Sequence, residues 1–415
     1  SDLAGLFTAW FERTGIGAQG AGFEHGMLER GLLAGRNAWF YFGKLLWPAN
    51  LAFHYPSWTA DASRAAHYLP TLAALLLLAG LAWHARRQRG PLAAALLFGG
   101  TLFPALGFVD VYPFIFSPVA DHFQYLASLG VFALIAAGLT WAVQGGIRTW
   151  SRARSLTAGS ALVLALGALT FAQSRVYTDP VTLYRATLER SPDSWIAHHN
   201  LAVELAARGE VAAALPHSRR AVELKPDFPE ALNNLADNLA RSGRPAEALP
   251  LVERALQLHP KFARAESTRG VALALLGRRD EAVRRFQRAI ELEPHLAEAH
   301  YNLGLTRAES GDFPAAIASF SRTIQLQPAH AGAELNWGLA LALSNRLPEA
   351  RGHFQRALEL DPESAAARQI YARTLLVAGE LEEAASQLRA AFELDPNLPG
   401  LRAELEATLQ RLGRR

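Results

Sequence analysis

The chain contains no cysteine. That removes disulfides, thiolate nucleophiles and cysteine-ligated metal sites in one step, and it suits an oxidising compartment, where a free thiol is a liability. Lysine is almost missing as well: Lys44, Lys225 and Lys261 stand against 38 arginines. Such a bias reads as the base composition of the coding DNA rather than as a chemical need. The net charge is only +3, which gives no electrostatic reason to expect a nucleic-acid partner. The chain opens Ser1-Asp2 without a basic-then-apolar leader, so its start reads as truncated rather than as a signal peptide. No nucleophile–base triad, phosphate loop or zinc motif is found along it.

What is present divides the chain in two. Hydrophobic residues make up 50% of it but crowd into the first half. Four apolar runs, at 68–84, 91–109, 125–144 and 155–173, carry no acid, lysine or arginine in their interiors and approach the ~20 residues a bilayer-crossing helix needs. They predict a transmembrane domain of about four helices over 66–175. The loops flanking them differ in charge. Arg86, Arg87 and Arg89 fill one, Arg148, Arg152 and Arg154 another, while residues 110–124 have no lysine or arginine. By the positive-inside rule the arginine-rich loops are cytoplasmic, which places 110–124, the N-terminal segment 1–65 and everything after about 175 on the far side. Within 25–50, Leu28, Leu32, Trp39, Phe42, Leu46 and Trp47 can share one helical surface while Glu29, Arg36 and Lys44 face water. That pattern fits a helix lying in the outer interface, or alternatively a tilted, imperfect span.

The second half repeats. Prolines recur at 192, 226, 260, 294, 328, 362 and 396, a period of 34 that matches the tetratricopeptide repeat. The other register positions agree: Leu201, Leu235, Arg269, Leu303, Trp337 and Tyr371, each followed by a small residue, and then Ala214, Ala248, Ala282, Ala316, Ala350 and Ala384. The expected fold class is therefore all-α, a polytopic transmembrane helical domain followed by an α-solenoid superhelix. Its repeat part has a half-repeat linker at 176–194, six repeats over 195–398 and a capping helix at 399–415. The concave face of such an array binds an extended peptide or protein. Asn200, Asn234, Asn302 and Asn336 recur at one register position, broken by Thr268 and Ile370. A ladder of carboxamides can donate to and accept from a peptide backbone; the plainer alternative is that asparagine is common at this position. His198 and His199 are expected to line the groove rather than bind metal, since no further ligand is in register.

Two segments carry a more specific likeness. GKLLWPANLAFHYPSW (43–58) holds Pro48, Leu51 and Tyr55. FSPVADHFQYLASLG (116–130) holds Ala120, Asp121, Tyr125, Leu126 and Ser128. Together with a last span running into the repeats, they resemble the TPR-containing transmembrane O-mannosyltransferases and their bacterial relatives, of the GT-C class of membrane glycosyltransferases. His122 departs from the arginine usual in that family. The resemblance implies the C-terminal portion of an inner-membrane enzyme with periplasmic repeats, whose catalytic loop is absent from this chain. It also implies a polyprenyl-phosphate sugar donor and a protein acceptor held in the groove. Asp121, His122, Tyr125, Arg36 and Lys44 are then the donor-phosphate candidates, His122 by hydrogen-bonding the phosphate and Asp121 by orienting it or pairing with Arg36 or Lys44. Against this, Asp121 can serve simply as a helix N-cap. The competing reading of the whole is a non-catalytic membrane-tethered scaffold, with the bilayer and a protein as its partners.

Overall fold

The computed structural model describes residues 26–46, 60–106, 126–141, parts of 157–174, and 175–413. The chain is all-α over these residues and divides into two units, residues 1–224 and 225–415.

In the first unit, helix α1 (Met27–Leu46) is amphipathic and buries Leu32 as well as residues outside the expected apolar surface. Leu33, Asn37 and Tyr41 lie one turn apart and are buried with Ala34, whereas Leu28, Trp39 and Leu46 are exposed. The cause is what the helix meets. A turn of 3-10 helix at Phe103–Leu106 sits against α1, with Leu102, Ala105 and Leu106 closing over Ala34 and Tyr41. Asn37 Nδ2 donates to the carbonyls of Ala105 (3.4 Å) and Leu106 (3.2 Å), satisfying backbone groups left over where the helix changes type. Along this side, α1 packs on protein.

Only one of the four apolar runs forms a helix of spanning length among the described residues. A 3-10 turn, Ala65–Tyr68, leads into α2 (Leu69–His84), and together they give 20 continuous residues. The second run stops short: α3 (Gly90–Leu102) has 13 residues, roughly 20 Å against a hydrocarbon core of about 30 Å. Pro104 has no N–H to continue the ladder, and the chain folds back onto α1 instead. The third run gives α4 (Ser128–Trp141), with 14 residues. Two glycines let these helices approach closely. A Cβ on Gly35 would lie 2.5 Å from Thr71 Cα, and one on Gly130 would lie 2.6 Å from the Ala94 carbonyl oxygen. The outer surfaces stay apolar. Leu69, Leu72, Leu75, Leu76, Leu77 and Leu78 are all exposed, and α2 buries nothing.

After α5 (Pro180–Arg190), capped by Asp179 on the Thr182 amide, helices come in pairs. The first pair, α6 (Trp195–Ala207) and α7 (Val211–Leu224), closes the first unit. The second unit continues with α8 (Pro229–Arg241) and α9 (Pro245–Leu258), α10 (Ala263–Leu275) and α11 (Arg279–Leu292), then α12 (Ala297–Glu309) and α13 (Phe313–Leu326). Two further pairs follow, α14 (Ala331–Leu343) with α15 (Leu347–Leu360), and α16 (Ala365–Val377) with α17 (Leu381–Leu394); α18 (Leu401–Gly413) packs on α17. Each pair turns at a residue in the left-handed region. Glycine fills it at 209, 243, 277, 311 and 379, and Asn345 (φ 60°) takes the same place in the fifth pair.

The small residue of each first helix now has a physical reason. Gly270, Gly304 and Gly338 sit under the rings of Phe286, Phe320 and Phe354 from the second helix of the same pair. A Cβ on Gly270 or Gly304 would lie 2.6 Å from its ring, and one on Gly338 3.1 Å. Where that position is Ala202, Ala236 or Ala372, the opposing residue is the smaller Ser218, Val252 or Leu388. The pairs are locks cut to matching depth.

Candidate functional site

The first helices of the second unit, α8, α10, α12, α14 and α16, pack side by side. Each presents a stripe spaced by helical turns: Glu230, Asn234, Asp237 and Arg241 on α8, and Arg264, Thr268, Val271 and Leu275 on α10. The stripe continues as Glu298, Asn302, Leu305 and Glu309 on α12, then Asn336, Leu339 and Leu343 on α14, and Ile370, Arg373 and Val377 on α16. Charge gathers at one end of this face and apolar surface at the other.

The asparagine ladder is only partly available. Asn336 Nδ2 donates to the Tyr301 hydroxyl (3.1 Å) and to the Gly332 carbonyl (2.8 Å), so it is spent within the protein. In the first unit, Asn200 hydrogen-bonds the Tyr184 phenol. No side-chain partner for Asn234 or Asn302 is found among the described residues, and both are half-buried. Each stands one turn from a carboxylate, Asp237 and Glu298 respectively. Crowding by protein pushes both acids above the usual carboxylate range, and Asp237 pushes Glu298 further by its like charge. Arg241 and Arg264 oppose the shift; the Arg241–Asp237 pair is long, at 3.7 Å.

At the other end, α14 and α16 enclose a cleft of about 380 Å³ lined by Leu339, Leu343, Ile370, Arg373 and Val377. Val377 is 92% exposed and Leu343 59%. The one charged residue of the cleft, Arg373, is turned to Glu404 of α18 at 2.6 Å. The acidic pair and this cleft were not singled out by register reading. Asp237 and Glu298 occupy different register positions in repeats two apart, so no column of the repeat shows them together.

His198 Nδ1 lies 3.0 Å from His217 Nδ1, its Nε2 meets the Pro192 carbonyl at 2.9 Å, and burial lowers the His199 pKa to about 4, which keeps it neutral. No group of three metal-binding side chains occurs among the described residues. Of the donor-phosphate candidates, Asp121, His122 and Tyr125 lie outside the described residues. Arg36 lines a cavity of about 220 Å³ with Leu32, Leu33, His67 and Pro70. Lys44 is not brought there. It stands about 12 Å further along α1, with its ammonium 5.7 Å from the centre of the Phe40 ring.

Family models described as tetratricopeptide repeat match residues 164–229, 268–334, 227–292 and 341–407, which together exceed half of the chain. The chain belongs to the tetratricopeptide-repeat proteins. The first TPR match begins inside the fourth apolar run, so the repeat pattern reaches back beyond the expected half-repeat. Among solved TPR structures, MamA is 25% identical over 41% of this chain and 94% of its own, with a TM-score of 0.33. PilF of Pseudomonas aeruginosa is 21% identical, covering 52% and 97%, with a TM-score of 0.43. YrrB, described as a TPR protein with an unusual peptide-binding site, is 24% identical, covering 44% and 95%, with a TM-score of 0.32. No curated protein matches the chain.

Proposed function

We propose that this TPR protein is a membrane-attached adaptor that holds an extended peptide across α8–α16. The observation that carries the reading is the pair of uncommitted amides, Asn234 and Asn302, on the stacked first helices. Each can donate to a carbonyl and accept from an N–H of one passing backbone. Replacing both by alanine should weaken binding of unstructured peptides about thirtyfold, since each amide supplies a net contribution of about 1 kcal/mol. Fluorescence anisotropy with the full chain reads this directly, and unchanged affinity would remove the amides from the site.

Attachment to a bilayer rests on α2 and its 3-10 lead-in. An apolar helix with leucines exposed all round and none buried has the surface of a segment solvated by lipid. The full chain should float with phosphatidylcholine vesicles in a density gradient. Leu72→Asp together with Leu76→Asp should abolish flotation, because each acid costs about 3 kcal/mol at a span's centre. Recovery of the unaltered chain from the bottom fraction would count against attachment. A transferase role belongs to the sequence resemblance; the same groove would then present the acceptor, and sugar passing from a polyprenyl phosphate to a bound peptide would raise the adaptor to an enzyme.

A further inference from the structure

The two ends of the TPR face differ enough in chemistry to name the peptide that fits. At α8–α12 the stripe carries Glu230, Asp237 and Glu298 against Arg241 and Arg264, and Glu309 is engaged by Arg279 at 3.4 Å. The surplus is one carboxylate. The groups beside it, Asn234 and Asn302, offer two amide oxygens as further acceptors. A solvated ammonium or guanidinium brought here exchanges water for carboxylate and amide oxygens, and its charge relieves the repulsion between Asp237 and Glu298. A carboxylate brought here would meet that repulsion unrelieved.

At α14–α16 the chemistry reverses. Leu339, Leu343, Ile370 and Val377 leave an apolar cleft open to water, and its one cation is already committed to Glu404. A branched aliphatic side chain fits its volume and gains by leaving water. A free lipid or small apolar molecule would use the cleft alone and leave the charged end unexplained. Only a polymer with both kinds of side chain uses both.

The distance between the ends sets a spacing. Neighbouring first helices lie about 8–10 Å apart. The centre of the acidic station, near α10, is two to three helix spacings from the α14–α16 cleft, roughly 20 Å. An extended chain rises about 3.3 Å per residue, so some six residues separate the two anchors. We infer that the groove selects extended peptides bearing a lysine or arginine at Asp237–Glu298 and, about six residues away, an aliphatic side chain in the cleft formed by Leu339, Leu343, Ile370 and Val377. This inference rests on the peptide-binding reading above and deepens it.

The test is selection of a displayed random peptide library on the immobilised full chain in detergent. Selected sequences should share a basic and an aliphatic residue at that spacing. One such peptide, synthesised, should lose about tenfold in affinity when its basic residue becomes alanine, and again when its aliphatic residue does. Asp237→Asn with Glu298→Gln should lower wild-type affinity similarly and make the first peptide change nearly neutral. Leu343→Asp should do the same for the second. Circular dichroism of these variants separates a lost contact from a lost fold. Peptides that bind without this pattern, or that accept glutamate in place of the basic residue, would overturn the pairing and leave the groove standing. No enrichment of any peptide would overturn both readings together.

Discussion

Phe320→Ala is expected to cost the repeat array about 3–5 kcal/mol, the range for emptying an aromatic from a closed core. Phe320 is fully buried, lies over the bare backbone of Gly304, and is packed by Ala316, Ala340 and the partly buried Tyr301 and Trp337. Because a Cβ on Gly304 would meet its ring at 2.6 Å, Gly304→Ala should also destabilise, by overpacking of about 1–3 kcal/mol. The informative variant is the double one. Ala236 opposite Val252 shows that this fold accepts a larger residue on the first helix when the second helix yields. Gly304→Ala combined with Phe320→Val should therefore be less damaging than the sum of the two single changes, a coupling that urea unfolding of all four proteins would reveal. Strict additivity would mean that the ring and the glycine do not form one packed unit.

The second large effect has the opposite sign. Arg269 occupies a register position that is Leu201, Leu235, Leu303, Trp337 or Tyr371 elsewhere. It is three-quarters buried and reaches Glu253 at 2.9 Å, but no partner for its Nε is found among the described residues. Removing a guanidinium from water is costly, and a half-exposed carboxylate returns only part of that cost. Arg269→Leu should therefore stabilise the array, by about 1–3 kcal/mol, raising the midpoint of thermal unfolding by several degrees. Glu253→Ala should do the reverse by stranding the charge. A lower midpoint for Arg269→Leu would show that the ion pair, not the apolar core, holds this repeat together.

Much of this architecture is legible in the sequence alone. The prolines at 34-residue spacing delimit the helix pairs because proline tolerates the turn between them and breaks a helix interior. The small residues were readable too, but the depth of each lock was not. Gly304 and Phe320 are separated along the chain, and only the crossing of two helices shows that one must shrink as the other grows. The asparagines were legible as a column. Their availability was not, since Tyr301 and Tyr184 claim two of them through tertiary contacts that no single register position records. Among the apolar runs, composition identified helices at 69–84, 90–102 and 128–141, and it overstated the reach of the second. A run counts residues, whereas a helix ends where the backbone finds a better partner, as it does where Asn37 receives the carbonyls of Ala105 and Leu106.

The lock between glycine and phenylalanine also bears on how such a protein can change length over generations. Both halves of each lock belong to one pair of helices, so a duplicated or deleted 34-residue cassette carries its own internal fit with it. Recombination between cassettes can then lengthen or shorten the binding face in whole steps without retuning the neighbours' interiors. The last pair is the exception. Gln369 donates to the Pro399 carbonyl and Arg373 holds Glu404, so the sixth cassette is matched to its terminal helix. New cassettes are best added ahead of the fifth pair, which leaves the α14–α16 cleft and its fit to α18 intact.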